Sequence, residues 1–565
     1  MAEKKKAVVG NLDSVLLEIG EFGKYQFLNY VLLVIPVVFA ALNNGNYIFS
    51  AADLEYRCYI PQCDLQNASL NGDWLHHAMP NSDSPRRCFR YGPSNTSSLA
   101  ISGDEGLLGS CSPESFNQDT VLDCDEWVFG EGGSIVKELG IQCQSWKRTL
   151  VGTIHSIGLL CALPLVASVS DKYGRRVALV SSAFLAGVFG VLRSFSTSYI
   201  MFVIFEFLEP AFGSGVFSSA FILGMELVGP TRRVLGATII HTFYSSGAML
   251  LGRIAWSVSY WRNLLRVIYV PSLLFISYFW LIEESVRWLI SKEKNEKAAA
   301  ILKKAAKING VTLSEKSMNS LYSSGGMESK ETDVEMKPLK EGIEIKPLKE
   351  EEEVKPSSIK DAFKSRVIVI RLLTCSIWWV TCTFVYYGLS INAVSLTGNI
   401  YLNYILVSLV EVPAYFTVFM LLDRVGRKYT IFCAFLASGI ACISFPLLPK
   451  DSKVILLITY LLGKYFITVA YSSLYVYTSE LFPTCLRHSL LGICSMVGRI
   501  GSIVAPQAPL IEELMPGLSS FLFGGLSIVS GVLMLTSPET LNIKLPDTIE
   551  EAENIAKRKE SKTEA

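Results

Sequence analysis

About twelve apolar runs, each roughly 20 residues long, constrain this 565-residue chain more than any other feature. A helix rises about 1.5 Å per residue, so a run of that length crosses about 30 Å of hydrocarbon. The runs lie near 25–48, 148–169, 176–196, 199–224, 234–256, 262–282, 367–390, 399–422, 428–448, 453–479, 488–510 and 515–536, and are numbered spans 1 to 12. Lipid offers no hydrogen bonds, so each run must satisfy its own backbone, and a helix does that within one segment. A hydrophobic share of 50% and a mean hydropathy of +0.37 agree with this. The formal net charge is +0, but the charges are segregated from the runs.

The runs are arranged twice. Asp171-Lys172-Tyr173-Gly174-Arg175-Arg176 follows span 2, and Asp423-Arg424-Val425-Gly426-Arg427-Lys428 follows span 8, 252 positions later (423 − 171). Glu226 with Arg232 and Arg233 matches Glu480 with Arg487 at 254 (480 − 226). Glu283-Glu284-Ser285 matches Pro538-Glu539-Thr540 at 255 (539 − 284). The expected fold class is therefore an all-α membrane protein with twelve transmembrane helices in two pseudo-symmetric six-helix bundles. The expected organisation is an N-terminus at 1–24, a first bundle at 25–282, a large loop at 283–366, a second bundle at 367–536 and a tail at 537–565.

Basic residues in short loops set the orientation. Lys4, Lys5, Lys6 and Lys24, then Arg175, Arg176, Arg232, Arg233, Arg427, Lys428 and Arg487, fall on the N-terminus and on alternate loops. These sides, with both termini, are expected to be cytoplasmic, in a multi-pass protein of the plasma membrane. Met1 to Lys24 has no apolar core of the signal-peptide kind. Leu12, Leu16, Ile19 and Phe22 form a helical stripe there, either lying on the inner membrane surface or forming a frayed lead-in. Residues 49–147 then face outward. Six of the 13 cysteines fall in this loop: Cys58, Cys63, Cys88, Cys111, Cys124 and Cys143. An even set in an oxidising space reads as three disulfides of open connectivity. The sequons at Asn67 and Asn95 mark expected glycosylation in the same loop. Cys58, Cys63, His76 and His77 complete no familiar zinc pattern.

On the other side, 291–308 carries a helical apolar face of Ala298, Ile301, Leu302 and Ala305. The following 311–358 is repetitive and charged, with Glu350 to Glu353 acidic, and is expected to be disordered.

The paired turns resemble the signature of the major facilitator superfamily. Gly20-Glu21-Phe22-Gly23-Lys24-Tyr25-Gln26, the cysteine-rich loop, Glu284-Ser285-Val286-Arg287-Trp288-Leu289, Ser479-Glu480-Leu481-Phe482-Pro483-Thr484 and Leu545-Pro546-Asp547-Thr548-Ile549-Glu550-Glu551 narrow the resemblance. Together they are similar to solute carrier family 22, the organic cation, organic anion and carnitine transporters. The resemblance implies solute transport by alternating access. It also implies that the charged turns hold an inner gate through Asp171, Arg175, Arg176, Asp423, Arg427 and Lys428, joined by Glu226, Glu480 and Arg487. Asp171 and Asp423 are expected to pair with these arginines and to cap a helix N-terminus. The plainer reading is topological anchoring by basic residues.

Substrate chemistry falls to polar residues inside the spans, where an ionised group costs at least about 2.5–3.5 kcal/mol on insertion scales. Glu206 and Glu209 lie in span 4, Glu411 in span 8, Lys464 in span 10 and Arg499 in span 11. The resemblance implies that arginine at position 499 belongs to anion and carnitine carriers, where cation carriers tend to place a carboxylate. A guanidinium binds a carboxylate with two parallel hydrogen bonds. Its structural alternative is a salt bridge to Glu411 or another helix. Lys464, Thr468, Tyr471 and Tyr475 share one helix face, and Trp379, Thr383, Tyr386 and Ser390 another, with Tyr387 beside it. These aromatics suit an ammonium group by cation–π attraction, or simply pack. Glu206 or Glu209, three apart and able to share a face, suits an ammonium or a coupling proton or sodium ion, and the break at Pro413 gives Glu411 a competing structural role. The expected substrate is a carnitine-like or amino-acid-like zwitterion. The alternatives are an organic cation or anion and, from another class, a non-transporting receptor or scaffold.

Enzyme readings find no support. There is no Gly-x-x-x-x-Gly-Lys loop for ATP, the five histidines are scattered, and no basic domain suits nucleic acid. No metal and no cofactor is expected beyond the coupling ion, and the partners expected are a small organic ion and the lipid bilayer.

Overall fold

The computed structural model describes residues 12–61, 63–64, 68–72, 74–80, 88–94, 113–130, 132–229, 232–314, 359–396, 398–449, 451–484, 486–543, 545–546 and 548–555. All twelve runs are helical. The spans are Lys24–Ser50, Ser145–Tyr173, Arg175–Arg193, Tyr199–Leu227, Arg233–Ser257, Trp261–Leu281, Arg366–Ser395, Ile400–Leu421, Arg427–Leu447, Lys453–Leu481, Ser489–Leu514 and the shorter Leu518–Met534. Proline interrupts several. Span 4 divides after Gly213, close behind Pro210, and span 8 at Val410, immediately before Glu411-Val412-Pro413 opens its second half.

Packing repeats the duplication. In the first half span 1 packs on span 5, span 3 on spans 4 and 6, and span 2 on span 4. In the second half span 7 packs on span 11, span 9 on spans 10 and 12, and span 8 on span 10. Small residues permit the close pairs, since helices in lipid gain from contact rather than from leaving water. A Cβ on Gly501 would come within 2.3 Å of the Val380 carbonyl oxygen, and one on Gly498 within 3.0 Å of Trp379 Cβ. Spans 7 and 11 therefore meet backbone to backbone, which fixes how Arg499, between those glycines, is turned.

The halves meet at the end that carries the cysteine loop. Thr149 Oγ1 donates to Gln507 Oε1 at 3.0 Å, Thr153 Oγ1 to the Ile503 carbonyl at 3.0 Å and Ser156 Oγ to the Ser502 carbonyl at 2.9 Å. These join span 2 to span 11, and the pseudo-equivalent pair, spans 5 and 8, packs alongside. At the end that carries the charged turns, the ion pairs of Arg175 with Asp171 and Glu226, and of Arg427 with Asp423 and Glu480, each lie within one half.

The loop folds on two short antiparallel ribbons, Tyr56–Cys58 with Trp127–Phe129 and Phe89–Pro93 with Phe116–Asp123. Disulfides join Cys58 to Cys124 and Cys88 to Cys143, and Cys63 is also disulfide-bonded. Arg262 Nε donates to Glu138 Oε2 at 2.8 Å and ties the loop to span 6. Cys111, Asn67 and Asn95 lie outside the described residues, as does 315–358, where disorder was expected.

The first amphipathic stripe is corrected. Residues 12–19 are helical, and Leu12, Leu16 and Ile19 are buried against Tyr25, Leu302, Ala305 and Ala306. The helix Asn295–Asn309 supplies that surface. The apolar stripe thus serves protein packing, neither lying on lipid nor fraying, because a second amphipathic helix presents a matching face.

Candidate functional site

Each charged turn is built the same way. Gly174 has φ 110° and Gly426 φ 102°, a left-handed region costly for any residue with a Cβ. A Cβ there would also strike a carboxylate: Glu284 Oε2 at 2.1 Å in one half, Glu539 Oε2 at 2.6 Å in the other. Those two glutamates cap the next helix. Glu284 Oε1 accepts from the Arg175 backbone N–H at 2.8 Å, and Glu539 Oε1 from that of Arg427 at 2.9 Å.

The expected capping by Asp171 and Asp423 is thus corrected. The expected pairing is present, Asp171 with Arg175 at 3.0 Å and Asp423 with Arg427 at 3.1 Å, and both aspartates are exposed. Their side chains sit on the preceding helix end, too far round the glycine turn to reach the next N-terminus. Glu226 lies 3.6 Å from Arg175 and Glu480 3.2 Å from Arg427, and these acids take hydrogen bonds from Ser285 and Thr540. Arg176 lies over the Phe279 ring and Lys428 donates to the Leu535 carbonyl at 2.7 Å. Arg487 opens the helix of span 11 at the same end.

Between the halves, Lys464 and Glu411 form an ion pair at 2.9 Å, with Lys464 wholly buried. Lys464 Nζ also donates to Ser390 Oγ at 2.6 Å and sits 3.2 Å from the centre of the Tyr386 ring. Glu411 accepts from Tyr386 OH at 2.7 Å and, across the junction from span 5, from Ser245 Oγ at 2.7 Å. Both charges are occupied by protein partners. Arg499 is different. No carboxylate lies within 4.0 Å of it among the described residues. Its guanidinium lies among the phenols of Tyr387, Tyr471 and Tyr475. The salt bridge to Glu411 weighed from the sequence is absent because Lys464 holds that acid. Trp379, buried, meets Tyr475 edge-on at 4.4 Å, and Tyr471 lies 5.4 Å from Tyr386 and 5.6 Å from Tyr475. Spans 7, 10 and 11 thus present one half-buried aromatic wall around an arginine that lacks a counter-ion. Glu209 is not part of this wall; it lies in the first half.

There the structure adds residues that were not singled out: Arg193, His155, Asn46 and Tyr269. Arg193 is fully buried and ion-paired with Glu206. An arginine and a histidine within apolar runs were the available signal.

Known proteins share this architecture. A Major Facilitator Superfamily model matches residues 135–506. Solute carrier family 22 member 4 of Mus musculus is 31% identical over 556 residues, 96% of this chain and 95% of that protein. Organic cation/carnitine transporter 2 of Homo sapiens is 30% identical over 568 residues, 98% and 95% of the two chains. The xylose transporter XylE from E. coli, in a partially occluded inward open conformation, superposes with a TM-score of 0.56 at 14% identity, covering 91% of this chain and 99% of that one. Repeat, turns, loop and whole-length similarity together make this chain a member of the major facilitator superfamily and, within it, of solute carrier family 22, a family of membrane transporters rather than enzymes.

Proposed function

We propose that this transporter carries small organic zwitterions of the carnitine or amino-acid type, by alternating access between its halves. One observation carries the reading. Of the intramembrane cations, Arg193 and Lys464 each have a carboxylate, Arg253 and Arg266 near helix ends bond the hydroxyls of Ser257 and Ser194, and Arg499, near the middle of its span, lies among phenols. Arg371, nearer a helix end, is used by the carbonyls of Ala552 and Glu553. A half-buried guanidinium without a counter-ion is unfavourable, and a substrate carboxylate relieves it. The surrounding rings of Tyr386, Tyr387, Tyr471, Tyr475 and Trp379 offer faces to the ammonium end. A simple cation would meet repulsion at Arg499, although the aromatic wall also favours an organic cation. In this reading the charged turns face the cytoplasm with both termini, at the plasma membrane, and form the inner gate.

The test is uptake of labelled L-carnitine, a β-alanine derivative, tetraethylammonium and para-aminohippurate by wild type and Arg499→Asp. Loss of a bidentate charged contact, about 1.5–3 kcal/mol, predicts a fall of about 10–100-fold for the carboxylate-bearing probes, with tetraethylammonium retained or raised. Unchanged preference in the mutant removes Arg499 from the site.

A further inference from the structure

The two junctions between the halves are built differently. Spans 2 and 11 meet through hydroxyls that donate to the Ile503 and Ser502 carbonyls and to Gln507. Spans 5 and 8 meet on a charge. Ser245 Oγ donates to Glu411 Oε2 at 2.7 Å, with Ser245 fully buried and Glu411 5% exposed. Tyr415 OH, one turn further along span 8, stands 3.4 Å from the same oxygen, long for such a bond. The other oxygen, Oε1, takes Tyr386 OH at 2.7 Å and Lys464 Nζ at 2.9 Å. One carboxylate is thus shared by both halves, through different oxygens.

The Oε1 side is continuous with the aromatic wall. Tyr386 gives its one hydroxyl hydrogen to Glu411, its ring centre lies 3.2 Å from Lys464 Nζ, and its carbonyl accepts from Nζ at 3.2 Å. The ion pair therefore sets where that ring stands. The ring in turn meets Tyr387 at 5.3 Å and Tyr471 at 5.4 Å, both of which lie beside Arg499. Glu411 also sits at a break, since span 8 divides at Val410 and Glu411 opens the helix that follows. A carboxylate that loses the donor on one oxygen at this burial must turn, or draw on the donors of the other, because an underfed buried charge is costly. Turning it displaces Tyr386 and Lys464 together.

We propose that Ser245 is a positioning residue through which closure of the junction between spans 5 and 8 sets the aromatic wall. With the halves together at the loop end, Ser245 supplies Oε2 and leaves Oε1 to hold Tyr386 and Lys464. Parting of the spans withdraws that donor, and the wall is no longer held in this arrangement. Such coupling acts equally in both directions, so a solute that fits the wall as it stands here favours closure. Ser245 acts through Glu411 and not by contact with the solute. The role in closure is independent of where the solute binds, whereas the coupling to the wall rests on the transport reading above.

Closure is read with Ser408→Cys, a near-isosteric reporter at a position 4% exposed, on the face of span 8 that carries Tyr404 and Glu411. Its labelling by an impermeant methanethiosulfonate added on the loop side should quicken at least about ten-fold in Ser245→Ala, the factor for one hydrogen bond to a buried carboxylate. An unchanged labelling rate overturns the junction. Coupling is read in reconstituted vesicles as Vmax/KM for whichever of the four probes wild type carries. Ser245→Ala should lower it about ten-fold by itself, but by no more than about two-fold in Tyr386→Phe, which keeps the ring and drops its bond to Glu411. Equal falls in the two backgrounds, as plain loss of packing at Ser245 would give, overturn the coupling and leave the substrate reading standing. If labelling quickens but none of the four probes is carried, the substrate reading falls and takes the coupling with it, while the junction stands.

Discussion

The pair between Lys464 and Glu411 can be broken from one side and then relieved. In Lys464→Met, Glu411 keeps its hydrogen bonds from Tyr386 and Ser245 but loses the ammonium at 2.9 Å, at a position only 5% exposed. Orphaning one member of a buried pair costs about 3–5 kcal/mol, which at roughly 2 °C per kcal/mol for a large fold is a fall of about 6–10 °C in Tm. The double variant Lys464→Met with Glu411→Gln removes the orphaned charge and keeps an acceptor for Tyr386 and Ser245. It should recover about 2–3 kcal/mol, or 4–6 °C, of that loss. Intrinsic-fluorescence melting of the detergent-purified proteins at one fixed scan rate measures this, since unfolding of such proteins is usually irreversible. A single variant as stable as wild type, or a double variant no better than the single, refutes the claim that these charges are held chiefly for one another.

The glutamate caps predict matched losses. Glu284→Gln and Glu539→Gln each weaken a charged cap and should lower Tm by about 2–4 °C, from about 1–2 kcal/mol; a loss confined to one half contradicts the equivalence of the turns. A Cβ on Gly152 would come within 2.8 Å of both Pro506 Cβ and Tyr47 Cε2. Gly152→Leu should therefore hold spans 2 and 11 apart at the loop end, raise labelling of a Thr153→Cys reporter by impermeant maleimide and cut solute uptake at least ten-fold. Unchanged labelling shows that the junction is not a closing surface.

Sequence legibility differed by feature. Periodicity and run length are local, so all twelve spans, the duplication and the disulfide-bearing loop could be read directly. The repeated triplets around Glu284 and Glu539 were visible too, but their role was not. Capping depends on a chain segment more than a hundred residues away reaching one helix N-terminus, and the nearer aspartates were the more economical guess. The stripe at Leu12, Leu16 and Ile19 was visible as amphipathic, yet amphipathicity does not say whether lipid or protein covers the apolar face.

The chain alone determined that this is a twice-repeated six-helix membrane protein with polar groups inside its spans, because hydropathy and spacing are properties of single segments. Only the folded arrangement decided which of those groups neutralise one another. Lys464 took Glu411, Glu206 took Arg193 and His155, and Arg499 was left facing tyrosines. Pairing follows from the rotation and depth at which helices meet, and those are set by contacts such as Gly498 and Gly501 against span 7, which join parts of the chain far apart in sequence.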